Sequence, residues 1–267
     1  MTIFEPRRRR PWVPTTLPPG PPIQWRPNWG NAQTNGLAFL FLPATTGYYD
    51  VVRGDIMSLH GTTTSADTPF GRGWVLGVTG GSVSGYATTA GGNKYYASSP
   101  ASMTLMCGLY NPATITLVPS SIMARWSDNS SQTSGNAIFS QLGDVSGVPR
   151  MAANVVVAGA NSDAIASGGA GITMNTNGQG MTFCSTYNGA TIGAYYSSTA
   201  LGFGSATAAK TGTPSGIDRV VLSDTATQTA NRCVLWAAGW FNVLTLAQIT
   251  AMVATNGGLP SGLLRRK

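Results

Sequence analysis

Charged side chains are scarce in this sequence of 267 residues. They make up 9% of the chain, and the acidic ones comprise a single glutamate, Glu5, and eight aspartates. A surface with so few charges consists mostly of small polar residues, which suits a protein that packs against neighbouring molecules. We therefore expect a homo-oligomer or a component of a larger assembly.

The shortage of acids and histidine argues against an enzyme. Glycoside hydrolases usually need two carboxylates that face one sugar bond, yet the only glutamate is at position 5 and no aspartates show D-x-D or D-x-x-D spacing. A Ser-His-Asp triad would have to use His60, the single histidine, which has no Gly-x-Ser-x-Gly segment around it. We expect no catalytic residue, and a loop or packing role for His60.

Cysteine is also rare, and membrane-spanning segments are absent. Cys107, Cys184 and Cys233 lie far apart in apolar runs without a CxxC pair, so they predict reduced core residues and no thiolate metal site. No apolar run approaches the length of a transmembrane helix, and the first residues lack the apolar core of a secretory signal. We expect a chain made in a cytosol, with no membrane partner.

Positive charge is concentrated at the two ends of the chain. Residues 1–25 combine Arg7, Arg8, Arg9 and Arg10 with a proline-rich run, which predicts an extended arm ahead of a domain at 26–267. The domain is nearly neutral apart from its basic tail, Arg265–Lys267, and this charge distribution argues against a nucleic-acid partner. Solvated terminal charges are the simplest alternative.

Two tryptophans on this arm point to a protein partner. Linkers in water normally lack aromatic residues, so Trp12 and Trp25 predict that the arm lies in pockets of another chain. The four arginines are expected to pair with carboxylates of the same partner.

Short apolar runs separated by Gly, Ser, Thr, Asn and Pro predict an all-β protein. One helix is expected near the end, because Thr245 and Gln248 form a capping box. Its apolar stripe is Leu246, Ile249 and Val253, which we expect to pack under the sheet edge. Residues 161–180, which are rich in Gly, Ala, Ser and Asn, are predicted to be loop.

A family resemblance rests on several of these segments. They are the Gly36–Phe41 run, the strand that ends in Cys107–Tyr110, the hairpin around Asn188-Gly189, and the closing unit Ala238–Ile249 with its Leu-Thr-x-x-Gln-Ile helix start. Together they resemble the concanavalin A-like, laminin-G-like jelly roll. The resemblance implies an antiparallel jelly-roll β-sandwich with a short C-terminal helix. It also implies a calcium site at a loop rim, for which Asp128 and Asp144 are candidates, although loop aspartates more commonly form turns. No other cofactor is expected.

The Arg/Pro-rich arm ahead of such a domain resembles accessory virion proteins of tailed bacteriophages. This resemblance implies a non-enzymatic structural protein of the virion, made in the host bacterial cytoplasm. We predict a capsid decoration protein whose arm docks on the major capsid protein or another virion protein. The alternative is a glycan-binding, host-recognition module on a phage head or tail fibre. Aromatic residues that could stack on sugars are Tyr48, Tyr49, Tyr95, Tyr96, Trp126, Tyr195 and Tyr196.

Overall fold

The computed structural model describes residues 25–76, 85–89, 101–112, 121–128, 135–145, 148–167, 178–199, 202–223 and 232–266. These residues form mainly antiparallel strands, with one α-helix near the end. The helix is α1 (Leu246–Val253), and Ala32–Thr34 form a 3₁₀ turn. The strands are β1 (Trp25–Pro27), β2 (Leu37–Ala44), β3 (Gly47–Asp50), β4 (Ile56–Gly61), β5 (Thr64–Thr68), β6 (Gly71–Leu76), β7 (Gly85–Thr88), β8 (Met103–Tyr110), β9 (Ser121–Ser127), β10 (Ala137–Val145), β11 (Val148–Val157), β12 (Ala160–Ser167), β13 (Gly180–Tyr187), β14 (Thr191–Ser198), β15 (Gly202–Ala209), β16 (Arg219–Leu222), β17 (Arg232–Trp240) and β18 (Leu264–Arg266).

Most of the strands belong to two packed sheets. The front sheet has the order β15-β14-β13-β8-β17-β2, with β6 also paired to β17 and β5 paired to β6. The back sheet has the order β12-β11-β10-β9-β16-β7-β4-β3, and the pairing of β3 with β2 joins it to the front sheet. Contacts of β12 with β15, β11 with β14 and β10 with β13 bring the sheets face to face. The predicted jelly-roll β-sandwich is confirmed.

The core between the sheets is built from alternate residues of each strand. Trp126 of the back sheet is fully buried, and its ring meets Phe39 of β2 edge-on at 5.1 Å between centroids. Full burial of each such side chain contributes about 1.5–3 kcal/mol. The apolar strands of the sequence therefore supply one continuous core in which both sheets take part.

Helix α1 starts and ends as its sequence predicts. The N–H of Gln248 donates to Thr245 Oγ1 at 3.3 Å, and the N–H of Thr245 donates to Gln248 Oε1 at 2.9 Å, which completes the capping box. After the helix, Asn256 and Gly257 take positive φ values of 48° and 100°, which only Asn and Gly adopt readily.

The apolar side of α1 covers the outer face of the front sheet. Ile249, Met252 and Val253 are buried there against residues that include Trp236 and Trp240. Leu246, predicted to share this stripe, is instead 60% exposed. At 100° per residue, Leu246 points roughly 60° around the helix axis from the mean direction of the three buried side chains. It therefore lies at the margin of the buried side of the helix.

All three cysteines are free and buried, as predicted. Burial raises the pKa of Cys107 to about 12 and that of Cys233 to about 12, and it also raises the pKa of Cys184. The thiols therefore stay protonated at neutral pH, as expected of packing residues.

The prediction of a loop over 161–180 is wrong in its first part. Residues 160–167 form β12, which pairs along its whole length with β11. Small residues are disfavoured in strands in general, but Ala164 and Ala166 face the core, where a neighbouring sheet decides the conformation. No helix in the described ranges is long and apolar enough to cross a membrane.

Candidate functional site

The predicted anchors of the arm have different outcomes. Arg7, Arg8, Arg9, Arg10 and Trp12 lie outside the described residues. Trp25 was placed at the end of the arm by its sequence, but it begins β1, which pairs with β18, and its side chain is only 7% exposed. The prediction that Trp25 fills a pocket of another chain is corrected, because its ring packs within this chain's own fold.

The two calcium candidates do not form one site. The carboxylate of Asp128 accepts hydrogen bonds through Oδ2 from the backbone N–H of Asn136 at 2.8 Å and from its side-chain amide at 3.1 Å. Asp128 thereby closes the β9–β10 connection, which is the turn-forming alternative. Asp144 lies near the far end of β10, roughly 25 Å along the strand at 3.3 Å per residue. The side chain of Asp144 lies outside the described residues.

Other acids of the described chain are dispersed as well. Asp50 is buried and accepts from the backbone N–H groups of Leu40 and Val52, so it holds the β3–β4 turn. Asp67 forms an exposed ion pair with Arg72 at 3.6 Å. Within the described ranges, no group of three or more His, Cys, Asp and Glu side chains is arranged to hold a metal ion.

Most of the predicted sugar-stacking aromatics belong to the core. Trp126 and Tyr48 are fully buried, and the Tyr48 hydroxyl donates to the Val234 carbonyl at 2.9 Å. In each described Tyr-Tyr pair one ring is buried and the other half-buried, as strand alternation predicts. Tyr95 and Tyr96 lie outside the described residues. None of the rings that the structure places offers a wide open face.

Trp29 is the aromatic side chain that stands out on the surface, with 54% of its area exposed. It belongs to the connection between β1 and β2, residues 28–36, which we call the Trp29 loop. The side-chain amides of Asn28 and Asn35 make no hydrogen bond within the described part of the chain, and Asn35 is exposed. The loop therefore offers an open indole together with amide groups that can donate to and accept from a ligand.

Hydrogen bonds inside the Trp29 loop determine its shape. The N–H of Asn31 donates to the Asn28 carbonyl at 2.8 Å, which makes a tight turn with Trp29 at its second position. The Thr34 hydroxyl lies within hydrogen-bonding distance of two carbonyls, those of Asn28 at 2.8 Å and Asn31 at 2.7 Å. The Asn31 side chain accepts from the N–H of Gln33 at 2.8 Å.

Further bonds attach the Trp29 loop to the rest of the domain. They come from the C-terminal segment, from β17 and from α1, so three separate elements hold it. The bonds are Asn28 N–H to Leu263 O at 2.9 Å, Trp240 Nε1–H to Gln33 O at 2.8 Å, and Gln248 Nε2–H to Ala32 O at 3.2 Å. A large apolar ring is thus presented to solvent on a rigid support, an arrangement typical of binding sites.

Sequence reasoning missed Trp29 although a signal was present. Trp29 stands in Asn-Trp-Gly-Asn, between residues that favour turns, so a tight turn with a protruding ring could have been predicted. What the sequence could not show is the set of bonds from Trp240, Gln248 and Leu263, because these residues are more than two hundred positions away.

Comparison with known proteins identifies the fold of this chain but assigns it to no family. No protein-family model and no curated protein sequence matched this chain. Solved structures share its fold at 11–12% sequence identity, which is evidence for the fold alone. The chain spans about half the length of the botulinum neurotoxin binding domains that it matches.

Three of these structures cover most of the chain. The binding domain of botulinum neurotoxin DC in complex with SialylT has 12% identity and a TM-score of 0.52 over 82% of this chain and 51% of its own. The enzymatically active domain of bacteriophage CBA120 tailspike protein 2 has 12% identity and a TM-score of 0.53 over 83% of this chain and 33% of its own. Domain 4 of AbnA, a GH43 extracellular arabinanase from Geobacillus stearothermophilus, in complex with arabinotriose, has 12% identity and a TM-score of 0.54, over 81% and 98%. The class that the fold defines is thus the jelly-roll β-sandwich.

Proposed function

We propose that the protein is a glycan-binding module and that the Trp29 loop is its binding site. The observation that carries this proposal is the exposed indole of Trp29 on a hydrogen-bonded loop with two unengaged amides. Two proteins of the same fold, one with SialylT and one with arabinotriose, support it by analogy of fold.

The chemistry of the loop suits a sugar. The face of an indole covers the C–H face of a pyranose or furanose ring and buries apolar area, while side-chain amides bond its hydroxyl groups. The loop is ordered before binding, so little conformational entropy is lost when the ligand arrives. Specificity then depends on which hydroxyls meet Asn28 and Asn35.

Binding of the whole protein to a glycan array tests this proposal. We expect binding to a restricted set of oligosaccharides, and we expect Trp29→Ala to weaken it by about 1.5–3 kcal/mol, roughly tenfold to hundredfold in Kd. Ile56→Ala is the matched control, because Ile56 is a large apolar side chain of similar exposure, 57%, on a different element, β4. Equal loss in both variants, or none in the Trp29 variant, would contradict the assignment of this site.

We also propose that binding proceeds without catalysis. Asp50 and Asp128 are turn formers, and Asp67 is the partner in an exposed ion pair. Incubation with the glycans that the protein binds should release no reducing ends, and Asp128→Asn should leave binding unchanged. Release of sugar that Asp128→Asn abolishes would overturn this part.

We propose that this module is a component of a bacteriophage virion. The arm at 1–25 is expected to dock on the major capsid protein or another virion protein through Arg7–Arg10 and Trp12. A capsid decoration role and a host-recognition role on a fibre both fit this attachment. The tailspike domain among the proteins of like fold favours the recognition role.

A further inference from the structure

Strand β15 forms one outer edge of the front sheet. Its eight residues, Gly202–Ala209, pair with β14 at every position and with no other described strand. The pairing contains no register shift, so this edge is regular, and no described strand pairs with its outer side. An open strand edge carries a row of backbone donors and acceptors that can pair with another strand.

The direction of these backbone groups follows from two neighbouring hydrogen bonds. The N–H of Lys210 donates toward β14, to Ala190 O at 2.9 Å, and the N–H of Asn188 donates to Thr191 O at 3.2 Å. Because directions alternate along a strand, even-numbered residues of β15 bond to β14 and odd-numbered residues point away from it. The outward groups therefore belong to Phe203, Ser205, Thr207 and Ala209, whose side chains are also exposed.

The edge strand of the back sheet, β12, lies opposite β15 and carries charge, whereas β15 itself carries none. Edge strand β12 carries the exposed Asp163, and the Lys210 ammonium group donates to its first carbonyl, Ala160 O, at 2.8 Å. Charges of this kind normally prevent pairing between edges. The β15 sequence, Gly-Phe-Gly-Ser-Ala-Thr-Ala-Ala, has no charge and no proline. The exposed ring of Phe203 also lies on it.

We propose that two copies of this protein associate by pairing their β15 strands antiparallel about a twofold axis. A twofold interface needs a surface that complements itself, and an uncharged strand with identical outward groups meets that condition. With Ser205 opposite Ser205 of the second copy, each Phe203 faces a Thr207, and the three facing pairs exchange two backbone hydrogen bonds each. The front sheets then continue from one copy to the next, and both Phe203 rings are covered.

Small residues make this approach possible. Besides Phe203, each outward side chain of β15 is Ser, Thr or Ala, so no long side chain has to be displaced when the backbones meet. A peptide from a different protein could use the same hydrogen bonds. The second copy is favoured because the strand contains no charge that would select a particular foreign sequence.

Analytical ultracentrifugation of the whole protein tests the proposal. We expect a concentration-dependent dimer for the wild type and half that mass for Ser205→Lys and for Ser205→Glu, because like charges then meet at the axis. An equimolar mixture of the two variants should restore the dimer. Thr207→Pro should also yield monomer while leaving the melting temperature near that of wild type, because its N–H points away from β14.

The matched control is Ile165→Lys, which adds the same charge to an exposed position of edge strand β12. It should leave the dimer intact. A wild type that is monomeric at every concentration would overturn the proposal, as would a dimer lost in Ile165→Lys but not in Ser205→Lys. If Thr207→Pro fails to fold, the mixture of the two Ser205 variants still decides.

Discussion

Arg232, the first residue of β17, is a cation that the fold buries. Its side chain is 1% exposed, and its Nη1 lies 3.7 Å from the sulfur of Met123. Its Nε and Nη2 atoms have no hydrogen-bond partner within the described chain. Burial lowers the pKa of Arg232 to about 9, because the charged form has lost its hydration. The buried guanidinium of Arg232 therefore lowers the free energy of unfolding.

Replacing that cation should stabilise the protein. Arg232→Met keeps the length and contact area of the side chain and removes the buried charge, so we expect the free energy of unfolding to rise by about 1–4 kcal/mol. Urea denaturation monitored by tryptophan fluorescence measures it. Arg72→Met is the control, since Arg72 forms only an exposed ion pair and should change stability by at most about 0.5 kcal/mol. A destabilised Arg232 variant would mean that the guanidinium bonds something the fold needs.

Because of the buried thiols, the stability of the protein changes with pH in the alkaline range. The pKa of Cys107 rises from its ordinary value of 9.0 to about 12 in the folded protein. Below pH 9 the thiol is protonated in both states, and its contribution is fully present. As pH rises from 9 toward 12, unfolding releases a proton, so stability falls by roughly 1.4 kcal/mol per pH unit for such a thiol.

Comparing wild type with Cys107→Ala isolates this effect. The variant loses stability at every pH because a buried side chain is shortened, but its decline between pH 9 and 11 should be shallower than that of wild type. Urea midpoints at several pH values give the two slopes. Parallel slopes would show that Cys107 ionises as readily in the folded protein as in the unfolded one.

At the scale of elements, α1 contains a matched pair of apolar residues. Ile249 is 1% exposed and packs on the front sheet, whereas Leu246 in the same helix is largely in solvent. Ile249→Ala should cost about 2–5 kcal/mol of unfolding free energy, since it leaves a cavity. Leu246→Ala should cost less than about 0.5 kcal/mol. Thermal melts of both variants check the prediction, and equal losses would place the helix differently on the sheet.

The elements that the sequence predicted are those whose local signals agree with their packing. Strand β17 and helix α1 have apolar runs and a capping box that need no information from elsewhere. Strands β12 and β15 escaped prediction, because small residues carry no alternation and their conformation comes from pairing with β11 and β14. The hairpin predicted around Asn188-Gly189 is present, with a positive φ at Gly189. Asn188 uses its side chain to accept from the N–H groups of Ala190 and Thr191.

The candidate site shows the same division between local and distant information. The turn that carries Trp29 is encoded by its own neighbours, Asn28, Gly30 and Asn31. Its exposure and rigidity depend on residues near the other end of the chain. Trp25 illustrates the opposite case, because only its pairing with Arg266 decides that it belongs to the fold rather than to the arm.

For the molecule as a whole, the arm and the glycan site should separate experimentally. Deleting residues 2–22 leaves β1 and every described core residue in place, so the melting temperature and the Trp29-dependent glycan binding should match those of wild type. Attachment to particles should be lost, and attachment of the intact protein should weaken with salt, since exposed ion pairs of the arm are screened. Decoration of particles by the shortened protein at full occupancy would show that the arm is not the anchor.

The small sheet of β1 and β18 has a consequence for how this domain can be joined to others. Trp25 and Arg266 are antiparallel neighbours, so the first and last described residues lie side by side, about 4.8 Å apart. A domain with adjacent ends can sit inside a surface loop of a host protein without forcing that loop open. Residues 25–266 inserted into a loop of a fluorescent protein should therefore leave its chromophore bright, whereas dimming would show that the strand pair does not hold. In evolution, such a domain can be acquired by insertion within an existing chain as well as by fusion to the N- or C-terminus of that chain.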